Sequence, residues 1–298
     1  MKRSNLVCLS LLTALLAFAN PALAQLTTNF ESFNTAGSTA ADGWAGVGNT
    51  SNGQSYDFSN TGNTIASPGE AGGHFIEATN MSYYGVSLGG LYTLANQLHG
   101  EGYLTIKGSQ PSPAILNDYI AIGFFNSTNA GGPQRNLLGV TVQEYGATTH
   151  STDWRGRTGI SFSNGGRLDA SIGGVDTRHV WYMPSNYLGA YYFTFDYNPA
   201  GGPSGLGQLT ATLTNVTTGS ILGGTLTANL SATSAANRAA GAFFDSFGLA
   251  TGGQSAGDPN SYFDLYIDNV YAVVPEPSSL VLAGLGLVAL LRLRRVRF

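Results

Sequence analysis

Short runs of apolar and aromatic residues recur along the middle of the chain, separated by clusters of Gly, Asn, Pro and Ser. In the clearest run, Tyr191 to Tyr197, the odd positions are aromatic and most even positions are polar, which predicts a strand with one buried and one wet face. Runs of this length and spacing predict an all-β, antiparallel β-sandwich. The other runs are His74 to Ala78, Tyr83 to Leu88, Tyr103 to Lys107, Tyr119 to Phe125, Leu137 to Val142, Gly159 to Ser163, Leu209 to Thr214, Ala242 to Leu249 and Tyr262 to Val273.

The segments between these runs predict turns and loops. Two alternating runs inside Gln208 to Leu230 flank a turn-rich stretch and predict a hairpin. The stretches Asn34 to Gly73, Asn126 to Gln134 and Asn198 to Gly207 are rich in Gly and small polar residues and predict surface loops. No repeat of roughly 20 to 50 residues is visible, which argues against a solenoid or propeller.

The N-terminus has the features of a secretory leader. Lys2 and Arg3 precede an apolar run, and the small residues Ala22 and Ala24 follow it. This order predicts a signal peptide over residues 1–24, passed through the secretion translocon and cut by signal peptidase. The chain's one cysteine, Cys8, lies inside this leader, so the mature chain forms no disulfide or thiolate metal site.

The C-terminal residues 274–298 combine a proline motif, an apolar helix and a basic tail. The apolar run is twelve residues long, Leu280 to Leu291, and rises only ~18 Å against a hydrocarbon core of ~30 Å, which predicts a transient inner-membrane anchor rather than a robust span. Arginines stay on the cytoplasmic side, so the preceding chain faces outward. The motif and tail residues are Pro275, Glu276, Pro277, Arg292, Arg294 and Arg295.

This C-terminal arrangement closely resembles the PEP-CTERM sorting signal that exosortases read. The resemblance implies that a membrane-embedded transpeptidase cuts near Pro275 and releases or re-attaches the ectodomain at the envelope of a Gram-negative-type bacterium. It further implies an inner-membrane-anchored intermediate, a final place at the cell surface or in the extracellular matrix, and an association with exopolysaccharide and the biofilm matrix. The alternative is an ordinary single-span anchor with a proline-rich stalk.

Removing both ends leaves an acidic ectodomain over residues 25–273. The chain has 13 basic and 17 acidic residues, and the two ends take six of the basic ones and Glu276, which leaves a net charge near −9. Such a surface repels phosphate backbones, so nucleic-acid binding is disfavoured. With no evident linker, the ectodomain is expected to be one large β domain.

Two segments at the ends of the ectodomain resemble a jelly-roll carbohydrate-binding module or a concanavalin-like sandwich. They are Asn29 to Phe33, followed by Asp42-Gly43-Trp44, and Tyr262 to Val270. The resemblance implies that the first and last strands run side by side. Glu31 and Asp268 would then share a structural Ca²⁺, which seeks carboxylate and carbonyl oxygens. The alternative is that both are solvated or capping carboxylates.

A search of the sequence for catalytic motifs is negative. The sequence contains no Gly-x-Ser-x-Gly elbow, no His-Glu-x-x-His helix, no phosphate loop and no strand with paired glycosidase carboxylates. Asp264 and Asp268 share one face of a strand, for which a structural role is the better interpretation. The histidines His74, His99, His150 and His179 show no metal-ligand spacing. We therefore assign no catalytic residue and no required cofactor.

Exposed aromatic rings next to arginines would indicate sugar binding instead of catalysis. A ring stacks on the apolar face of a sugar while polar groups bind its hydroxyls. The strongest candidate is Asp153 to Arg157, expected to be a loop. The ligand-binding candidates are Trp154, Arg155, Arg157, Trp44 and Trp181. The competing interpretation places these rings in the core. The sequence thus predicts a non-catalytic surface or matrix protein that contacts polysaccharide, with a glycan-active enzyme or a purely structural envelope protein as alternatives.

Overall fold

The computed structural model describes residues 26–31, 43–47, 57–59, 70–76, 82–110, 119–128, 135–144, 154–171, 181–182, 189–251 and 262–275. The leader, with Ala22 and Ala24, and the tail from Glu276 onward lie outside this part. Residues Thr28–Val274 form one compact unit. This unit contains the strands described below, apart from Leu26 and Thr27 of β1 and Pro275 of β17.

Antiparallel strands make up most of the described residues. The one α-helix among them, α1 (Ala235–Ala240), is short and begins where the Ser234 side chain accepts a hydrogen bond from the Asn237 amide. No helix within the described ranges is long and apolar enough to cross a membrane. The strands are β1 (Leu26–Glu31), β2 (Trp44–Val47), β3 (Asp57–Ser59), β4 (Glu70–Ile76), β5 (Ser82–Thr93), β6 (Leu98–Gln110), β7 (Tyr119–Phe125), β8 (Leu137–Glu144), β9 (Trp154–Ser161), β10 (Arg167–Asp169), β11 (Trp181–Tyr182), β12 (Gly189–Asn198), β13 (Gln208–Asn215), β14 (Ser220–Ile221), β15 (Leu226–Asn229), β16 (Phe243–Thr251) and β17 (Tyr262–Pro275).

The strands form two antiparallel sheets. The nine-stranded sheet has the order β14-β13-β12-β6-β17-β4-β3, with β1 beside β17 and β15 beside β13. The eight-stranded sheet has the order β10-β9-β8-β7-β16-β5-β2, with β11 beside β9. The predicted all-β, antiparallel fold is confirmed, and so is the expectation that the first and last strands are neighbours. The predicted hairpin is also present, since β13 pairs with both β14 and β15.

The core lies between the two sheets and is rich in aromatic rings. In β12 the odd positions, Tyr191 to Tyr197, are all buried, as their alternation predicts. From the other sheet, Phe124 meets Phe195 edge-on with ring centroids 5.9 Å apart, and Phe247 lies 5.1 Å from Phe124. Full burial of one such side chain stabilises the fold by roughly 1.5–3 kcal/mol, so these contacts hold the sheets face to face.

A row of glycines crosses the eight-stranded sheet. Gly85, Gly248, Gly123, Gly139 and Gly159 are paired in sequence from β5 through β16, β7 and β8 to β9. At Gly139 the backbone has φ 159, and a Cβ there would overlap the carbonyl oxygen of Ile122. Neighbouring strands can approach this closely only because these positions carry no side chain.

Two predicted loops contain strands. The stretch Asn34 to Gly73 includes β2, β3 and the start of β4, and β2 pairs with β5 while β3 pairs with β4. The segment expected to be a loop at Asp153 to Arg157 belongs to β9 from Trp154 onward, because β8 and β11 hydrogen-bond to its two edges. The loop assignment failed at β2 and β3 because these strands of four and three residues, at the edges of their sheets, are too short to show alternation.

Candidate functional site

The outward face of the nine-stranded sheet carries a group of titratable and aromatic side chains that contact one another. They come from adjacent strands, β12, β6 and β17, at positions that alternate with core residues such as Leu98, Phe195 and Ala272. We call this group the tyrosine–carboxylate face, and it consists of His99, Glu101, Tyr103, Tyr192, Asp196 and Tyr271.

His99 lies between two carboxylates on this face. Its Nδ1 is 2.7 Å from Oδ1 of Asp196, the residue directly opposite on β12. Its Nε2 is 3.5 Å from Oε2 of Glu101, two residues along β6. The side chains of His99, Glu101 and Asp196 are 24%, 34% and 60% exposed, so the group is open to solvent. The ring is therefore oriented from both sides while both carboxylates remain accessible.

Tyrosine rings lie next to this charged group. Tyr103 and Tyr192 are directly opposite each other on β6 and β12, with ring centroids 5.1 Å apart. Burial raises the pKa of the Tyr192 hydroxyl, as do its hydrogen bond to Glu101 and the charge of that carboxylate. On the other side, the Tyr271 ring meets His99 edge-on at 6.0 Å. Glu101 thus contacts His99 and the Tyr192 hydroxyl, and it is paired with Tyr271 on β17.

Threonine side chains extend the polar surface beyond the tyrosines. Thr194 on β12 is opposite Thr212 on β13, and Thr210 and Thr214 lie on either side of Thr212. All four are partly exposed. Flat aromatic surface beside hydroxyls and carboxylates is the combination that binds a sugar, because the rings cover its apolar face and the polar groups take its hydroxyls.

The predicted metal ligands are only partly within the described structure. Asp268 on β17 is fully buried, and its Oδ1 accepts a hydrogen bond from the Asn269 amide at 2.7 Å. Glu31 ends β1, which pairs with β17, but its side chain lies outside the described part. The described residues contain no group of three or more His, Cys, Asp or Glu side chains that could hold a metal. The Glu31–Asp268 calcium site stays a prediction.

Trp44 belongs to the core rather than to a ligand surface. Its side chain is only 6% exposed, and its ring lies 5.5 Å from that of Tyr84. A ring covered in this way offers no face to a sugar, so we do not retain Trp44 as a ligand-binding candidate. It was expected in a surface loop, but β2 pairs with β5 and directs the ring inward.

The other ligand-binding candidates lie on β9 and β11. Trp181 is paired with Gly156, and Arg157 is partly buried opposite Thr141 of β8. The side chains of Trp154, Arg155 and Trp181 lie outside the described part. Binding by these residues stays a prediction.

The tyrosine–carboxylate face was missed at the sequence level. The local signal was present in β12, where Tyr192 and Asp196 stand at even, outward positions. Nothing local indicated that β6 would pair with β12 and β17 with β6, because the residues brought together by such pairing, such as His99 and Asp196, are 97 positions apart.

Comparison with known proteins identifies the C-terminus. Residues 273–295 match the PEP-CTERM protein-sorting motif, which confirms the resemblance seen in the sequence. This motif indicates an exported protein that is transiently anchored in the membrane. A search of curated protein sequences gave no match.

Solved structures similar to this chain include legume lectins. Peanut lectin is 12% identical with a TM-score of 0.43, covering 84% of this chain and 97% of the lectin. Lectin II from Ulex europaeus is 9% identical with a TM-score of 0.46, covering 83% and 98%. An alginate lyase from Klebsiella pneumoniae is 12% identical with a TM-score of 0.36, covering 59% of each chain.

Proposed function

We propose that this chain is exported, held briefly at the inner membrane, cut by an exosortase, and then acts at the cell surface or in the matrix by contacting polysaccharide without catalysis. The export part rests on the sorting motif at residues 273–295 and on the leader-like N-terminus. The polysaccharide part rests on one observation, the opposed rings of Tyr103 and Tyr192 beside exposed carboxylates.

The ring pair supports sugar contact because it is not part of the core. Tyr103 and Tyr192 lie on the outward side of strands whose other side chains, Leu104 and Phe193, fill the interior. Both rings are partly exposed. Aromatic surface retained at such positions beside Thr194 and Glu101 provides stacking and hydrogen bonding in one place.

The binding test uses the full-length chain in detergent and a soluble polysaccharide isolated from the producing envelope. Tyr103→Ala should weaken binding about 5- to 150-fold, the loss expected when one aromatic stack is removed. Tyr103→Phe is the matched control, because it keeps the ring and should bind within about twofold of wild type. Equal binding by the Ala variant, with unchanged thermal unfolding, would contradict the proposed surface.

The processing test follows the protein through export. Mass spectrometry of the secreted product should show a chain that begins at Gln25 and ends close to Pro275. Peptides from the arginine tail, Arg292 to Phe298, should be found only in the membrane fraction. Their recovery in secreted material would contradict exosortase processing.

A glycan-active enzyme remains the second candidate, and one observation favours it. His99, oriented by Asp196 and placed beside Glu101, has the geometry of a group that transfers protons. Incubation with polysaccharide should release no new reducing ends or unsaturated products if the chain only binds. Product release that disappears in His99→Ala would replace the binding proposal with the enzyme.

A further inference from the structure

We propose that the tyrosine–carboxylate face binds a polysaccharide that carries free amino groups, such as a deacetylated amino-sugar polymer, in preference to neutral or anionic glycans. This inference rests on the proposed function and names the ligand class for the same face. It follows from the signs and positions of the charged groups next to the tyrosine rings.

The charge on this face is negative. Glu101 and Asp196 are the exposed carboxylates, and His99 between them is the one basic side chain in the group. No Lys or Arg occurs among the side chains that the structure describes on the strands of the nine-stranded sheet; Lys107 of β6 lies outside those side chains. The expected ectodomain charge has the same sign. A cationic ligand is therefore electrostatically complementary to the face.

The carboxylates can accept further hydrogen bonds without releasing their present partners. A carboxylate has about four acceptor positions on its two oxygens. Asp196 uses Oδ1 toward His99 and is 60% exposed, so its other oxygen can accept from an ammonium group. Glu101 contacts His99 and Tyr192 and is 34% exposed. An amino-sugar resting on the Tyr103–Tyr192 pair would bring its ammonium toward Glu101, whereas Asp196, four residues along β12 from Tyr192, would accept from a further sugar of the same polymer.

Anionic polysaccharides do not suit this face. A uronate stacked on the same rings would bring its carboxylate toward Glu101 and Asp196, with no described Lys or Arg to compensate. Like charges held together in this way reduce affinity and so select against such ligands. A neutral glycan would keep the stacking but would gain no ion pair.

The test compares three oligosaccharides of equal length with the full-length chain in detergent: a glucosamine hexamer, an N-acetylglucosamine hexamer and a galacturonate hexamer. The glucosamine hexamer should bind roughly fivefold more tightly than its acetylated counterpart at low salt, the size expected for exposed ion pairs. This preference should shrink as salt rises, because exposed charges are screened. The galacturonate hexamer should bind most weakly.

Two variants test whether Glu101 and Asp196 cause the preference for the glucosamine hexamer. Glu101→Gln combined with Asp196→Asn should reduce the preference to about twofold or less, because the variant should weaken binding of the glucosamine hexamer more than binding of the acetylated hexamer. Asp169→Asn is the control, since it removes a carboxylate from β10 of the other sheet and should keep the preference. Thermal unfolding checks that each variant is folded, and the salt dependence of the wild type does not require any variant.

The outcomes separate this inference from the proposed function. Equal affinity for the glucosamine and acetylated hexamers would overturn the inference and leave polysaccharide contact in place. A preference that survives in the double variant, or tightest binding of galacturonate, would also overturn the inference. Binding of none of these hexamers and of no envelope polysaccharide would overturn both.

Discussion

His99 on β6 and Asp196 on β12 are directly opposed across the nine-stranded sheet, with Nδ1 and Oδ1 2.7 Å apart. The two side chains are 24% and 60% exposed, so water and salt compete with their attraction. An exposed pair of this kind contributes little to folding. The contact therefore orients the imidazole on the surface rather than holding the sandwich together.

The first prediction measures this contact by a double-mutant cycle with His99→Gln, Asp196→Asn and the combined variant. The coupling free energy from unfolding in denaturant should be below about 1 kcal/mol, because the pair is exposed. The coupling should fall further in high salt. A coupling of about 3 kcal/mol or more would mean that the pair is structural and would weaken the case for a binding face.

The second prediction concerns the glycine row of the eight-stranded sheet. Gly139→Ala should destabilise the fold by more than about 3 kcal/mol or prevent folding, because the new Cβ would overlap the Ile122 carbonyl oxygen between paired strands. Gly219→Ala is the matched control: φ is 67 there, but nothing lies within 4 Å of its Cβ position. It should cost about 1–2 kcal/mol from backbone strain alone. Thermal unfolding of the two variants separates steric overlap from strain.

The alternation of apolar and polar residues predicted some strands well, because in such a strand every second side chain is buried. In β12, Phe193 and Phe195 fill the core while Thr194 faces outward, as the period of two requires. The same reasoning failed at Trp44, since β2 is only four residues long and is held by β5 rather than by its own pattern. The candidate site could not be predicted, because it depends on the strand order β12-β6-β17, which joins distant parts of the chain.

The third prediction is a loss of stability at high pH. Burial raises the pKa of Tyr197 from 10.0 to about 12 in the fold, where its hydroxyl donates to the Leu94 carbonyl oxygen at 2.9 Å. Below pH 10 the tyrosine is neutral in both the folded and the unfolded chain, so its contribution to the free energy of unfolding is complete. This contribution is lost as pH rises toward 12, because the tyrosine of the unfolded chain then ionises more readily than that of the folded chain. The decline from this residue should be on the order of 2 kcal/mol.

Tyr197→Phe separates the ionisation from the hydrogen bond. The variant should lose about 1 kcal/mol at neutral pH, because the Leu94 carbonyl loses its donor. It should then show a shallower fall in the free energy of unfolding between about pH 10 and 12 than the wild type. Burial also raises the pKa of Tyr191 and Tyr192, so the fall should not vanish. Identical slopes in the two proteins would contradict the role of Tyr197.

The fourth prediction concerns calcium at β17. Asp268 is fully buried. The residue before it, Ile267, is paired with Ala71 of the antiparallel strand β4, so Asp268 lies beside Glu70, which is equally buried. The first strand, which ends at Glu31, pairs with β17 as well. Burying carboxylates together is costly unless hydrogen bonds or a cation compensate their charge. A Ca²⁺ ion bound by Glu31 and Asp268 would provide such compensation and would join the first strand to the last.

Binding of Ca²⁺ to the folded chain alone would raise stability by mass action, by about 2.7 kcal/mol when the free ion is at 100 times its dissociation constant. The melting temperature of the wild type should therefore rise with Ca²⁺ and fall with a chelator. Glu31→Gln should abolish this response with little other change if Glu31 is a ligand, whereas Glu101→Gln, on the exposed face, should keep it. Mg²⁺ at the same concentration should have a smaller effect, because it loses its water less readily than Ca²⁺. A melting temperature that is the same with Ca²⁺ and with chelator would exclude the ion and leave hydrogen bonding as the stabiliser of Asp268.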